Sequence, residues 1–339
     1  MGQRLSFVEE PPDQVFIVGM NGSGTTMLLD HLSSHPSLFG FPGETKVLPF
    51  YLTREPRYGD LSLDVNYERL WREMRESIVG QVKDDGLRSA TPPASDVAQR
   101  SVAFVFDQLM RSSPGMTGKR IWCEKSPMHV LHLRLLGNAF PNAKFIHVIR
   151  DGRDCAASFH RRWQFNPRRT IARWKHSVRK GREQGASLGD RYLEVRYESV
   201  TQDPEAALRS ICRFLGVEFD VSILSAGRSR QDAASAKSAQ IVRNRRSAAH
   251  YFDRATMNDL ERIAGHYLSE LGYPVGKCTG DEDPAWLALR WWQVCDEARR
   301  LSVVLFRRGR ILKPQTWGYL NRRLKSALKQ KAVLGEAQY

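Results

Sequence analysis

Val15-Phe16-Ile17-Val18-Gly19-Met20-Asn21-Gly22-Ser23-Gly24-Thr25-Thr26 runs an apolar segment straight into a glycine-rich loop, and Leu28, Leu29 and Leu32 follow at helical spacing. The stretch reads as strand, loop, helix. Such a loop aims backbone N–H groups and a helix N-terminus at an anion, most often a phosphate. Against the template G-x-x-x-x-G-K-[ST], Gly19, Gly24 and Thr26 fit, but Thr25 stands at the lysine position. Nucleoside triphosphatases and kinases put that lysine on the β/γ-phosphates, with Mg²⁺ beside it. Glycines without the lysine suit a less charged ligand, a phosphate-bearing donor other than ATP.

Working outward, Val15–Val18, Arg120–Cys123, Lys144–Ile149 and Tyr192–Val195 read as buried strands. Long helical stretches separate them, which implies βαβ crossovers and a mostly parallel sheet. Helices are expected near Asn66–Val79, Asp96–Met110, Arg168–Gln184 (densely basic) and Met257–Leu271. Another should start at Asp203-Pro204, an N-cap with proline at N1, and stop at Gly216. The fold expected is α/β, of the three-layer P-loop-NTPase-like kind, with a central, mostly parallel sheet of about 4–5 strands flanked by helices.

The second informative run is Lys144-Phe145-Ile146-His147-Val148-Ile149-Arg150-Asp151-Gly152-Arg153-Asp154, reaching Ser158 and then His160-Arg161-Arg162-Trp163. A strand delivers Arg150 to its C-terminal end, where α/β sheets bind ligands. Ser158 comes about two helical turns later and can offer a hydroxyl beside the arginine. A forked donor, a hydroxyl and further arginines such as Arg162 make a good phosphate pocket. An arginine at a strand end is as often a structural ion pair. Two phosphate sites on one sheet, however, suggest a bisphosphorylated nucleotide.

These residues resemble sulfotransferases that use 3′-phosphoadenosine 5′-phosphosulfate (PAPS). The resemblance implies that Gly22, Ser23, Gly24, Thr25 and Thr26 hold the 5′-phosphosulfate, while Arg150 and Ser158 hold the 3′-phosphate. Pro42-Gly43-Glu44-Thr45-Lys46-Val47-Leu48-Pro49 is similar to the segment that carries the base in tyrosylprotein and glycan sulfotransferases. Glu124-Lys125-Ser126-Pro127 resembles their strand-ending lysine motif, and Tyr197-Glu198 matches a place near the donor. The likeness spans about residues 13–220, and four motifs in the family's order are more specific than any one. One position departs from the pattern. Many relatives place Arg or Lys where this chain has Gly22. Lys46 and Lys125 are the nearest sources of the missing charge.

Sulfuryl transfer, an in-line displacement akin to phosphoryl transfer, needs a base for the acceptor hydroxyl and a cation on the leaving phosphate. Glu44 is the candidate general base, with a pKa that a shielded site could raise towards neutrality. Lys125 is the candidate for the leaving group. A lone Glu in a Pro-Gly turn is more often a solvated surface residue, and His129 and His132 are rival bases that share one helix face. Lys46 either tunes Glu44 or is simply exposed, and Arg153 could pair with Asp151 or Asp154 instead of touching ligand. No Asp occupies a Walker-type magnesium position, so no metal requirement is expected.

The 339 residues carry a formal net charge of +15 and 41% hydrophobic residues, ordinary for a full globular core. From Trp286 to Lys331 there are 12 Lys/Arg against Asp296 and Glu297, a local surplus of ten. That run is as readily a solvated helix face as an anion-seeking surface. Its Trp286, Leu289, Trp292, Leu301, Val304, Leu305 and Phe306, interleaved with arginines, would suit peripheral contact with a membrane surface. The expected layout is a sulfotransferase domain over 1–280 and a basic, Trp-rich helical C-terminal extension over 281–339. The five cysteines (Cys123, Cys155, Cys212, Cys278, Cys295) show no C-x-x-C pair, and Met1 to Pro12 offers no signal-peptide apolar stretch. A cytoplasmic, bacterial-type enzyme is therefore expected. Its acceptor should be a saccharide or glycoconjugate hydroxyl, including an anionic or lipid-linked glycan, with tyrosine or peptide as the alternative. A P-loop NTPase or nucleotide kinase and a basic nucleic-acid-binding protein are the rival functions. Nucleic acid is disfavoured because it leaves the four ordered motifs unexplained. A homodimer through the Trp-rich helices stays open.

Overall fold

Val15, Phe16, Ile17 and Val18 are all fully buried, which places their strand at the centre of a sheet with both faces covered. The computed structural model describes residues 12–82, 84–225, 247–276 and 279–307. Most of the 225–250 loop, Cys278 and the basic run beyond 307 lie outside the described residues. The strands are β1 (Gln14–Val18), β2 (Leu38–Gly40), β3 (Ile121–Lys125), β4 (Lys144–Ile149) and β5 (Tyr192–Arg196). They pair in the order β2-β3-β1-β4-β5, every neighbouring pair parallel. The α/β architecture is the one expected. β2 was not foreseen. It has only three residues and owes its place to pairing with β3.

The helices are α1 (Thr25–Ser33), α2 (Leu48–Leu52), α3 (Asp64–Val79), α4 (Asp85–Ser89), α5 (Val102–Arg111), α6 (Leu133–Ala139), α7 (Gly152–Trp163), α8 (Pro167–Gly185), α9 (Tyr197–Gln202), α10 (Pro204–Leu215), α11 (Arg254–Glu270) and α12 (Trp286–Arg307). The expected helix from Asp96 is broken. A short 3₁₀ turn, Val97–Gln99, comes first. α5 then starts only after Ser101, whose Oγ accepts the Phe104 N–H. α10 behaves as read: Asp203 caps the Ala206 N–H at 3.0 Å, and Gly216 closes the helix at φ 69°.

Contacts divide the chain into two compact units, one drawn from Met1–Arg150 and Ser177–Arg245, the other from Asp151–His176 and Arg246–Tyr339. In the first, alternate β1 residues feed two cores, as a strand's two-residue period requires. Phe16 and Val18 join one, with Trp122, Phe145 and residues of α3, α5 and α6. Val15 and Ile17 join the other, with Ile146, Val148 and residues of α1 and α10. Phe16 packs edge-on to Trp122 with ring centroids 5.3 Å apart, and Trp122 Nε1 donates to Asp107 at 2.9 Å. A buried indole needs that partner, and truncating Trp122 to alanine should cost about 3–5 kcal/mol.

In the second unit Arg153 is buried and bonded to Asp151, Glu261 and the Pro274 carbonyl. This is the ion-pair reading of Arg153, with Glu261 as a partner that sequence proximity could not show. Asp296 of α12 is buried too, accepting from the Asn166 N–H at 2.8 Å and from Arg169 at 3.0 Å. Cys123, Cys155 and Cys212 are buried and form no disulfide among the described residues.

Candidate active site

The C-terminal ends of β1, β3, β4 and β5 and the segment that follows β2 build the site within the first unit. After β1 the chain turns through Gly19, whose φ is 148° and where an added Cβ would lie 2.5 Å from the Val148 carbonyl oxygen, leaving no room for a side chain. The Ser23 N–H closes a turn on Met20, and the Gly19 N–H donates to the Pro127 carbonyl at 3.0 Å. The loop is thereby tied to the segment that follows β3. Gly24, in the left-handed region at φ 101°, enters α1 with no side-chain cap. The first N–H groups of α1 are therefore uncapped by any side chain, unlike those of α5, α10 and α11. Ser23 Oγ is buried with no hydrogen-bond partner among the described residues. Uncapped amides, an orphaned hydroxyl and the positive end of a helix dipole form an anion cradle. Thr25 is buried at its wall, and Thr26 is exposed.

One side of the cradle is closed by Arg150 and Tyr197. Arg150 Nη1 donates to the Gly22 carbonyl at 3.2 Å, and its guanidinium lies 4.3 Å from the centre of the Tyr197 ring. That ring lies so close that a Cβ on Gly24 would come within 2.4 Å of it. The sequence motifs of β1, β4 and β5 thus converge. Ser158 and Arg162 belong to α7 in the second unit, the serine buried and the arginine exposed.

The other side holds the carboxylate. β3 runs beside β1 with Lys125 level with Ile17, so Lys125 emerges at the same sheet edge as the loop. Lys125 Nζ lies 2.8 Å from Glu44 Oε1, and Lys46 Nζ lies 2.9 Å from Glu44 Oε2. Lys125 is almost wholly enclosed and Lys46 is exposed. The pKa of Glu44 is lowered, not raised. Burial pushes it up, but the two ammonium groups outweigh that push. A carboxyl tuned towards neutrality is not what the site holds, because Lys125 and Lys46 together decide the direction. Glu44 is thus an ionised acceptor at neutral pH, and it is not the solvated turn residue that composition alone favours.

His129 sits buried with Nδ1 3.3 Å from Glu124 Oε2. Burial pushes the neighbouring His132 down to about 4, helped by His129. Sequence reading gave no role to Glu124, Thr45, Ser126 or Gln81. Glu124 is fully buried, and its Oε1 accepts from the Thr45 N–H and hydroxyl. A carboxylate one residue before a strand-ending lysine was the available signal. Among the described residues no cluster of three or more His, Cys, Asp or Glu is placed to hold a metal ion.

The chain matches the family model of the sulfotransferase family over residues 12–221, and it belongs to that family. It is similar to protein-tyrosine sulfotransferase A of Caenorhabditis elegans, 26% identical over 62% of this chain and 51% of that protein. Protein-tyrosine sulfotransferase 1 of Danio rerio is also 26% identical, over 62% and 55%. The chain spans about half the length of these curated relatives. Among solved structures, the sulfotransferase domain of the Synechococcus PCC 7002 olefin synthase superposes with a TM-score of 0.50. It is 25% identical, over 78% of this chain and 97% of that domain. The sulfotransferase domain from the curacin biosynthetic pathway shares the fold at a TM-score of 0.50 and 22% identity, over 78% and 99%.

Proposed function

We propose that this chain transfers a sulfuryl group from PAPS to an acceptor hydroxyl, with Glu44 as general base and Lys125 at the leaving group. The observation that supports it most is the meeting, at one sheet edge, of an uncapped anion cradle and the Glu44–Lys125 pair. The cradle suits the donor's 5′ end: backbone N–H groups, the unpartnered Ser23 hydroxyl and the Thr25 and Thr26 hydroxyls could all donate to it. PAPS supplies an activated S–O bond to a phosphate leaving group. Glu44 takes the acceptor's proton as the new O–S bond forms, and Lys125 neutralises the charge that develops on the departing phosphate oxygen. Arg150 supplies a forked cation for the donor's 3′-phosphate. Ser158 and Arg162 are assigned to the donor's 3′-phosphate by their place after Arg150 along the chain, and Ser158 by the family resemblance as well. Thr25 in place of the P-loop lysine supports PAPS over ATP.

The named relatives support a tyrosyl acceptor. The basic stretches at 168–184 and 286–331 would suit an anionic or membrane-linked acceptor, but much of the first one's charge is taken up internally. Arg168 pairs with Asp259, Arg169 with Asp296, Lys175 with Asp281 and Arg182 with Glu194. A tyrosine-bearing peptide is therefore the first acceptor to try, and a glycan the second. Membrane contact is proposed through α12, where Trp286, Leu287, Trp291 and Val294 are exposed. Liposome co-sedimentation unaffected by deleting 284–339 would remove it.

The decisive experiment is thermal unfolding with 3′,5′-ADP, Mg·ATP or AMP added. Stabilisation by 3′,5′-ADP without magnesium supports the reading, and stabilisation by Mg·ATP alone overturns it.

A further inference from the structure

The chemistry assigned above uses the tips of Glu44 and Lys125, yet the most enclosed charge nearby is the carboxylate one residue before that lysine. Glu124 Oε1 accepts from the Thr45 N–H at 3.2 Å, the Thr45 hydroxyl at 2.9 Å and the Ser126 hydroxyl at 2.5 Å. The same Ser126 oxygen accepts the Lys46 N–H at 3.0 Å, and the Thr45 carbonyl accepts from Gln81 Nε2 at 2.6 Å. His129 lies behind the other carboxylate oxygen. The backbone so held is an unusual one. Gly43 and Lys46 have φ of 120° and 59°, and a left-handed lysine persists only where its surroundings over-determine it. Glu124 and Lys125 are successive residues of β3, so their side chains leave opposite faces of the strand. Gripping Thr45 from β3 therefore turns Glu44 the other way, towards Lys125, which itself follows Glu124.

We infer that Glu124 is a positioning residue: its clasp on Thr45 behind the site sets the Glu44 carboxylate against Lys125 in front. The inference rests on the reading of Glu44 as the general base. A buried ion does not stabilise a fold better than a packed apolar group, so stability alone does not account for it.

The test is a ¹³C NMR titration of the Glu44 carboxyl, assigned with Glu44→Gln, in the full chain and in Glu124→Gln, Thr45→Val and Thr45→Ser. The groups facing Glu44 are Lys125 and Lys46. In Glu124→Gln and Thr45→Val the midpoint should rise by about half a unit or more, as Glu44 drifts from Lys125. Thr45→Ser, which keeps the hydroxyl, should titrate as the parent does, and 3′,5′-ADP affinity should change less than about threefold in all of them. Simple loss of the Glu124 charge would move the midpoint the other way, because removing a nearby anion favours ionised Glu44. A fixed or lowered midpoint in the folded variants overturns the inference. Should Glu124→Gln fail to fold, the Thr45→Val and Thr45→Ser pair decides. Full transfer activity in Glu44→Gln would overturn the base reading instead, while the titration would still report whether the clasp exists.

Discussion

Lys125 Nζ stands 2.8 Å from Glu44 Oε1, so the proposed leaving-group cation and the proposed base neutralise each other. One ammonium group cannot fully serve a carboxylate and a departing phosphate at once. Donor binding should therefore loosen the pair and free Glu44 to accept a proton. Lys125→Ala should lower kcat about 10²–10³-fold. It should also move the acidic limb of the kcat/KM profile upward, because the carboxyl loses the stronger of the two ammonium interactions that hold its pKa down. A limb that stays in place would show that Lys125 does not tune Glu44.

Glu44→Gln keeps the shape of the side chain and removes the proton acceptor. Transfer to the acceptor should fall at least about 10²-fold. Affinity for 3′,5′-ADP by calorimetry should stay near the parent's, because Glu44 faces Lys125 and Lys46 and not the glycine loop. Retained activity would reassign the base.

Arg150→Ala removes both the bond to the Gly22 carbonyl and the cation over Tyr197. Charge-assisted hydrogen bonds of this kind are worth about 1.5–3 kcal/mol, so 3′,5′-ADP should bind about tenfold to a hundredfold more weakly. Unchanged affinity would refute the role.

Gly24→Ala places a methyl within 2.4 Å of the Tyr197 ring at a φ of 101°. Either the loop or the tyrosine must move, at a cost of about 1–3 kcal/mol. Loss of 3′,5′-ADP binding in a variant that still unfolds cooperatively is the expected result.

Acid should weaken the fold before ordinary carboxylates titrate fully. Burial pushes His147 down to about 3 and His132 to about 4, while both take up protons near 6.5 when unfolded. Their folded pKa values are depressed, so the unfolded chain binds more protons and stability falls as pH drops from about 6.5 towards 4. Each group contributes up to about 1.4 kcal/mol per pH unit across that window. Urea unfolding at pH 7 and pH 5 measures the slope. His147→Gln, which can still meet the Tyr192 hydroxyl, should flatten it.

The sheet and the loop were legible in the residues because both are local. The uninterrupted apolar run at 15–18 admits only a doubly covered strand, and the glycines after it permit the backbone turn that uncaps α1. The same holds for the proline-started α10 and for Arg150 at the end of β4. What stayed hidden depends on partners distant along the chain. β2 exists because β3 is there to pair with it, three residues being too few to show a pattern. Glu44 reads as a lone turn carboxylate until β3 brings Lys125 from 81 positions away. Its pKa was therefore misjudged in direction: the sequence shows that a carboxyl exists, while burial and nearby charge decide its proton. The basic residues of α8 likewise look free along the chain and turn out to be paired, because Asp281 and Asp296 reach them only in three dimensions, and Glu261 joins Asp151 on Arg153 in the same way. Motif order along the chain was enough to suggest the family. Which atoms oppose each other across the site was decided by strand register, and a sheet sets that register through pairings that no single segment contains.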